Sequence, residues 1–97
     1  MEITELEIDC AKWTRGNLLD GEGAMCVMGF IGKACGVSNR DLLRNSSALN
    51  NNLYPAKVRN MEDQLVAAND QMAGKARKKK LKSLLKKCGI VVTFINE

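Results

Sequence analysis

Thr4-Glu5-Leu6-Glu7-Ile8-Asp9-Cys10 changes character at every step, with Thr4, Leu6, Ile8 and Cys10 on one face and Glu5, Glu7 and Asp9 on the other. Successive side chains of a strand point to opposite faces, so this period of two predicts a half-buried β-strand. At the other end, Ile90-Val91-Val92-Thr93-Phe94-Ile95 is a β-branched and aromatic run that follows Gly89, and it predicts a second strand. Between the two the apolar spacing is helical. The sequence therefore predicts an α+β fold, in which a small sheet with paired N- and C-terminal strands packs against three or four short helices. Residues 1–97 read as a single domain, with no internal repeat and no linker.

Residues 24–35 are apolar nearly all round, as a short central helix buried on most faces would be. Gly29 and Gly32 inside it cost helix propensity, which predicts that another part of the chain approaches closely there. Gly36 reads as the end of this helix, and Ser38 followed by Asp41 as the start of a short one through Arg44. From Asn45 to about Asn60 the Asn/Ser-rich run with Tyr54-Pro55 reads as a long loop. A helix is expected from Met61 to Met72, with Met61, Leu65, Ala68, Asn69 and Met72 on one face. The last helix, 75–88, carries a stripe of Leu81, Leu84, Leu85 and Cys88 at i, i+3, i+4 and i+7, with lysines around the rest.

Composition removes several functions. The chain has no His, the side chain most used for general-base catalysis and metal binding. No two of Cys10, Cys26, Cys35 and Cys88 are spaced as the close pairs of a zinc site, so buried free thiols are expected, with no metal and no cofactor. No apolar run reaches the roughly 20 residues of a spanning helix, and the N-terminus is acidic rather than a basic leader. A soluble cytoplasmic protein with no membrane partner is the expectation. A chain of 97 residues leaves considerable apolar area uncovered, which a homodimer would bury.

The net charge of +4 is unevenly placed. Residues 75–97 hold eight Lys and Arg against Glu97 alone, whereas the first 74 hold seven basic and ten acidic side chains. Lys78, Lys79 and Lys82 lie in this run and are candidate contacts for an acidic partner, nucleic acid through 75–88 included. No aromatic residue lies within the run to offer a stacking surface. The bland alternative is a solvated helix face.

Trp13-Thr14-Arg15-Gly16 is the other candidate binding element. An arginine fork suits a phosphate or carboxylate, Trp13 offers a stacking surface, and Gly16 lets the chain turn sharply. Read structurally, Trp13 anchors a core edge and Arg15 pairs with Asp9, Asp20 or Glu22. The Gly21–Gly23 turn before a helix resembles an anion-binding site only weakly, because Glu22 would repel phosphate; a simple turn is the better reading. Cys26, in the first turn of that helix, is the one candidate nucleophile, but no base accompanies it and no catalytic residue is assigned. Asn69, beside Asp70, puts a polar amide on an apolar face, where it must find partners or hydrogen-bond a ligand.

These pieces, Trp13-x-Arg15-Gly16, Leu18-Leu19, Gly23-x-x-Cys26-x-x-Gly29-Phe30, Cys35-Gly36, Asn69-Asp70 and Gly89-Ile90, resemble a family of small bacteriophage and prophage proteins, most of them of unassigned activity. Two departures stand out. Val27 occupies the place of the second of two adjacent cysteines, which argues against an essential metal or vicinal disulfide, and the segment between Gly16 and Leu18 is short. The resemblance implies a viral accessory product in the cytoplasm of a bacterial host. Such a protein would act by binding and inhibit a host defence component, as an anti-CRISPR-like protein or by sequestering a small nucleotide signal. Trp13, Arg15, Gly16, Asn69 and Asp70 would then contact the partner along with the lysines named above. The rivals are a nucleic-acid-binding accessory protein and a small enzyme using Cys26.

Overall fold

Leu6 and Ile8 are buried while Glu5 and Glu7 are exposed, as the alternation requires, in strand β1 (Glu5–Asp9). In the computed structural model, which describes residues 3–16, 18–44 and 53–97, a 3-10 turn (Cys10–Lys12) follows β1. Helices α1 (Val27–Ala34), α2 (Asn39–Arg44), α3 (Ala56–Asn60), α4 (Glu62–Gln71) and α5 (Gly74–Lys87) come next, and strand β2 (Val91–Ile95) last. The terminal strands pair as expected, in parallel, with Leu6 beside Val92 and Ile8 beside Phe94. No helix is long and apolar enough to cross a membrane among the described residues.

Parallel pairing has a direct consequence. It sets the C-terminal ends of both strands side by side, Asp9 against Ile95, so that Trp13 arrives next to Phe94. Helix α5 runs back along the sheet from its own N-terminal end near the same corner. The inner sheet face, Leu6, Ile8 and Val92, joins a core built around α1, where Val27, Met28 and Ile31 are buried. Helix α1 packs against β1, α2 and α4.

Helix ends follow local chemistry. Gly36 and Gly89 take φ of 92° and 78°, and Val37 N–H and Ile90 N–H reach back to the Gly32 and Leu85 carbonyls, which closes α1 and α5 as Schellman-type ends. Ser38 Oγ accepts from Asp41 N–H at 3.2 Å and starts α2. Of the loop expected over Asn45–Asn60, residues 45–52 lie outside the described residues. Its last part is helix α3, which Pro55 introduces with a fixed φ and the fully buried Val58 holds down. Helix α4 begins after Met61, whose φ of −107° separates it from α3.

On α5 the stripe Leu81, Leu84 and Leu85 is completely buried. Truncating Leu84 to Ala should therefore cost about 2–5 kcal/mol, as burial of a leucine in a packed site implies. Replacing the exposed Lys79 and Lys80 together by Ala should change stability by less than about 0.5 kcal/mol. Urea denaturation of the two variants measures both effects, and the reverse ranking would mean the wrong face of α5 points inward.

Candidate functional site

The sequence-predicted residues Trp13, Arg15, Gly16, Asn69 and Asp70 meet at one corner, where the segment after β1 crosses the C-terminal end of α4. Asn69 is at its centre and fully buried. Its Oδ1 accepts from Trp13 Nε1 at 2.7 Å, from the Val27 N–H at 3.0 Å and from Arg77 Nη2 at 3.2 Å. Its Nδ2 donates to the Thr14 carbonyl at 3.1 Å and to Asp70 Oδ1 at 2.7 Å. Both ends of the amide are thus engaged within the chain. The bond to Val27 also caps α1 from 42 residues away, since the N-cap residue Cys26 makes no side-chain cap bond of its own.

Asp70 Oδ1 also accepts from the Gly16 N–H at 3.1 Å, where Gly16 has a φ of 79° that other residues rarely adopt. The exposed Arg15 uses Nη2 to donate to the Met72 carbonyl at 2.8 Å. None of the acids named as its partners engages it. Asp9 instead accepts from Ala11 N–H and Asn96 Nδ2, and Asp20 accepts from Glu22 N–H and Ala24 N–H. A carboxylate therefore organises the Gly21–Gly23 turn from within, which is the simple-turn reading.

Arg77 is the residue that sequence reasoning passed over. In sequence it is one charge in a basic run, yet it is 8% exposed, with its guanidinium carbon 3.4 Å above the centroid of the Trp13 ring. Nη2 donates to the Thr14 carbonyl at 3.3 Å as well as to Asn69, while Nε is buried with no hydrogen-bond partner. Burial pushes its proton affinity down, neighbouring Arg15 pushes the same way, and Asp70 opposes both. The signal was present: Arg77 stands four residues before Leu81 and seven before Leu84, on the apolar stripe. Among the described residues neither Arg15 nor Arg77 forms an ion pair.

The lysines continue from this corner along α5. Phe94 lies against Trp13 with ring centroids 5.2 Å apart, and the Lys78 and Lys82 ammonium groups each stand 5.7 Å from the Phe94 ring. Aromatic rings absent from the basic run in sequence are thus brought beside it in space. Their faces are already occupied by cations or by each other. Lys79 is exposed on the same helix, away from the corner's hydrogen bonds. Lys78 also bridges to Glu97 at 2.6 Å.

Beside Asn69 and Asp70 a cleft of about 40 Å³ is lined by Gly16, Leu18, Cys26, Met28, Glu62 and Val66. That is room for about one water molecule. Cys26 does not carry the activated thiol expected of a first-turn cysteine. It precedes the helix as its N-cap, and burial pushes its pKa up, against weaker lowering by the Gly29 and Met28 N–H groups. The four cysteines are free thiols, and no group of three or more His, Cys, Asp or Glu that could hold a metal ion occurs among the described residues.

Two carboxylates pin the end of β2. The Asn96 amide and then the Ala11 N–H hold Asp9 below its ordinary pKa, and the Lys78 bond does the same for Glu97 while raising Lys78 itself. A depressed carboxyl contributes stability above its unfolded pKa and loses it as pH falls through the folded one. Lys78 contributes below its unfolded pKa and loses that as pH rises through the raised one. NMR titration should therefore show the Asn96 and Glu97 amides shifting only below the ordinary carboxylate range and again in strong alkali. Asn96→Ala should return Asp9 toward its ordinary value, and an unchanged Asp9 midpoint would contradict the assigned cause.

No family model, curated protein or solved structure matches the chain.

Proposed function

We propose that the chain is a phage-type accessory protein that acts by binding and inhibits a component of a bacterial host's defence, either a protein or a nucleotide signal. The observation that carries this reading is the Arg15–Arg77 corner, where two guanidinium groups converge with no ion pair among the described residues and the exposed one is steadied by a backbone carbonyl. A steadied fork with donors to spare is suited to a carboxylate or phosphate brought by a partner. Trp13, Asn69, Asp70 and Gly16 position it, and Lys78, Lys79 and Lys82 extend the positive field along α5. Enzymatic action has less support, since the buried Cys26 thiol has its pKa raised and no imidazole is available to take its proton.

Affinity purification of the chain from host-cell lysate, with mass spectrometry of retained proteins and small molecules, tests the proposal. One host protein should be retained, or else one nucleotide that raises the melting temperature of the chain by mass action. Retention of nucleic acid alone, lost steeply with added salt, would instead favour the nucleic-acid rival.

A further inference from the structure

Strand β2 has one neighbour, β1, and its other edge pairs with no strand among the described residues. The Val91 N–H donates to the Thr4 carbonyl on the β1 side at 2.9 Å. Backbone polar groups of successive strand residues alternate in direction, so Val92 and Phe94 send theirs toward the open edge. A groove of about 350 Å³ is lined by Ile90, Val91 and Val92 at the start of β2 and by Lys82 and Lys86 of α5. Val91 is 66% exposed, more than any other large apolar side chain among the described residues. At about 100° per residue, Lys75, Lys78, Lys79, Lys82 and Lys86 fall within an arc of roughly 100° on α5 and extend over about 16 Å.

We propose that the open edge of β2 and the groove below Lys82 and Lys86 receive an extended segment of a protein partner that alternates acidic and apolar side chains, added as a third strand. The inference rests on the function proposed above in its protein-binding form. An added strand satisfies the outward backbone groups of Val92 and Phe94, and its side chains alternate between the two faces. Those on the α5 side meet Lys82 and Lys86 and are acidic. Those on the outer side meet Val91 and are apolar. Single-stranded nucleic acid fits less well, because Trp13 already carries Arg77 and Phe94 already packs against Trp13 beneath two lysines. A second copy fits less well too, because β2 contains no acidic residue, and the apolar side chains that alternate with the acids of β1, Leu6 and Ile8, are buried in their own core and cannot also cover Val91.

The test is an NMR titration of the labelled full chain with a short synthetic peptide of alternating glutamate and valine. A lysine–valine peptide and a short oligothymidylate serve as the other probes. The glutamate–valine peptide should shift the Val92 and Phe94 amides and slow their hydrogen exchange. The double change Lys82→Glu and Lys86→Glu should weaken it by about tenfold or more, with the melting temperature nearly unchanged. Equal binding of the lysine–valine peptide, tighter binding of the oligothymidylate, or no response at Val92 and Phe94 would overturn the proposal. So would a dimer in solution that Val91→Lys converts to monomer, because the edge would then be covered by a second copy. Capture of one host protein that survives Val91→Lys with Lys86→Glu would leave the proposed function standing and remove this docking site. Docking of the peptide with no host protein or nucleotide captured would do the opposite.

Discussion

Asn69→Ala should cost about 3–5 kcal/mol of stability, a large share of the roughly 5–15 kcal/mol that holds a small domain together. The change removes one acceptor from three donors at once: Trp13 Nε1, the Val27 N–H and Arg77 Nη2. Trp13 Nε1 and the Val27 N–H are left without a partner at about 1–3 kcal/mol each, and the Arg77 cation keeps only its bond to the Thr14 carbonyl. The cap on α1 is lost in the same step. Asn69→Asp separates acceptor from donor, because a carboxylate still serves the three donors but faces Asp70 in place of an amide that now donates to it at 2.7 Å. It should recover part of the loss and be more stable at low pH, where one of the two carboxyls is protonated. Denaturant unfolding of both variants measures this. A loss below about 1 kcal/mol in Asn69→Ala would mean the corner is held by packing alone.

Gly29→Ala should be comparably damaging by an unrelated mechanism. A Cβ at Gly29 would overlap the Leu18 carbonyl oxygen and lie 2.8 Å from both the Leu18 carbonyl carbon and Met25 Cβ. Two of those atoms are backbone, which cannot rotate away as a side-chain tip does. Overpacking of a close-packed interior costs about 1–3 kcal/mol and sometimes more, and this contact belongs at the upper end. Gly21→Ala is the control, with nothing within 4 Å of the added methyl and an ordinary φ. Thermal unfolding should separate the two variants by at least about 10 °C, from roughly 4–8 °C per kcal/mol for a domain this size. Equal melting temperatures would show that α1 can shift away from Leu18 without loss.

Most of the fold was legible because its signals are local. Period-two alternation marked β1, and the glycines that end α1 and α5 marked where each helix stops. The glycines inside the apolar helix marked close approach, by Leu18 backbone at Gly29 and by the Tyr54 ring at Gly32. The site was legible only in part. Trp13, Arg15, Gly16, Asn69 and Asp70 drew notice as types out of place, but the network joining them spans separations such as the 56 residues between Trp13 and Asn69. No local pattern encodes that. Arg77 was masked by the lysines around it, although its position on the leucine stripe put it inside. The neighbourhood of Phe94 and Trp13 depended on parallel pairing, and alternation alone does not distinguish parallel from antiparallel. Helix α3 was missed because Asn, Ser and Pro dominate its approach, while burial of Val58 supplies what propensity lacks.

The proposed function sets Arg15 to serve a partner and leaves Asn69 and Arg77 to serve the fold. Arg15 is exposed and, among the described residues, makes one hydrogen bond, to the Met72 carbonyl. Arg15→Ala should therefore cost no more than about 1 kcal/mol, and Arg15→Lys less still. Both should weaken capture of the host component, Lys because a single ammonium cannot reproduce the two-pronged contact of a guanidinium. Thermal unfolding of the two variants, run beside lysate capture by each, is the most direct measurement. The expected result is nearly unchanged melting temperatures with capture reduced in both. A large loss of stability in both variants, with capture by the remaining folded protein intact, would contradict it and make Arg15 a structural residue.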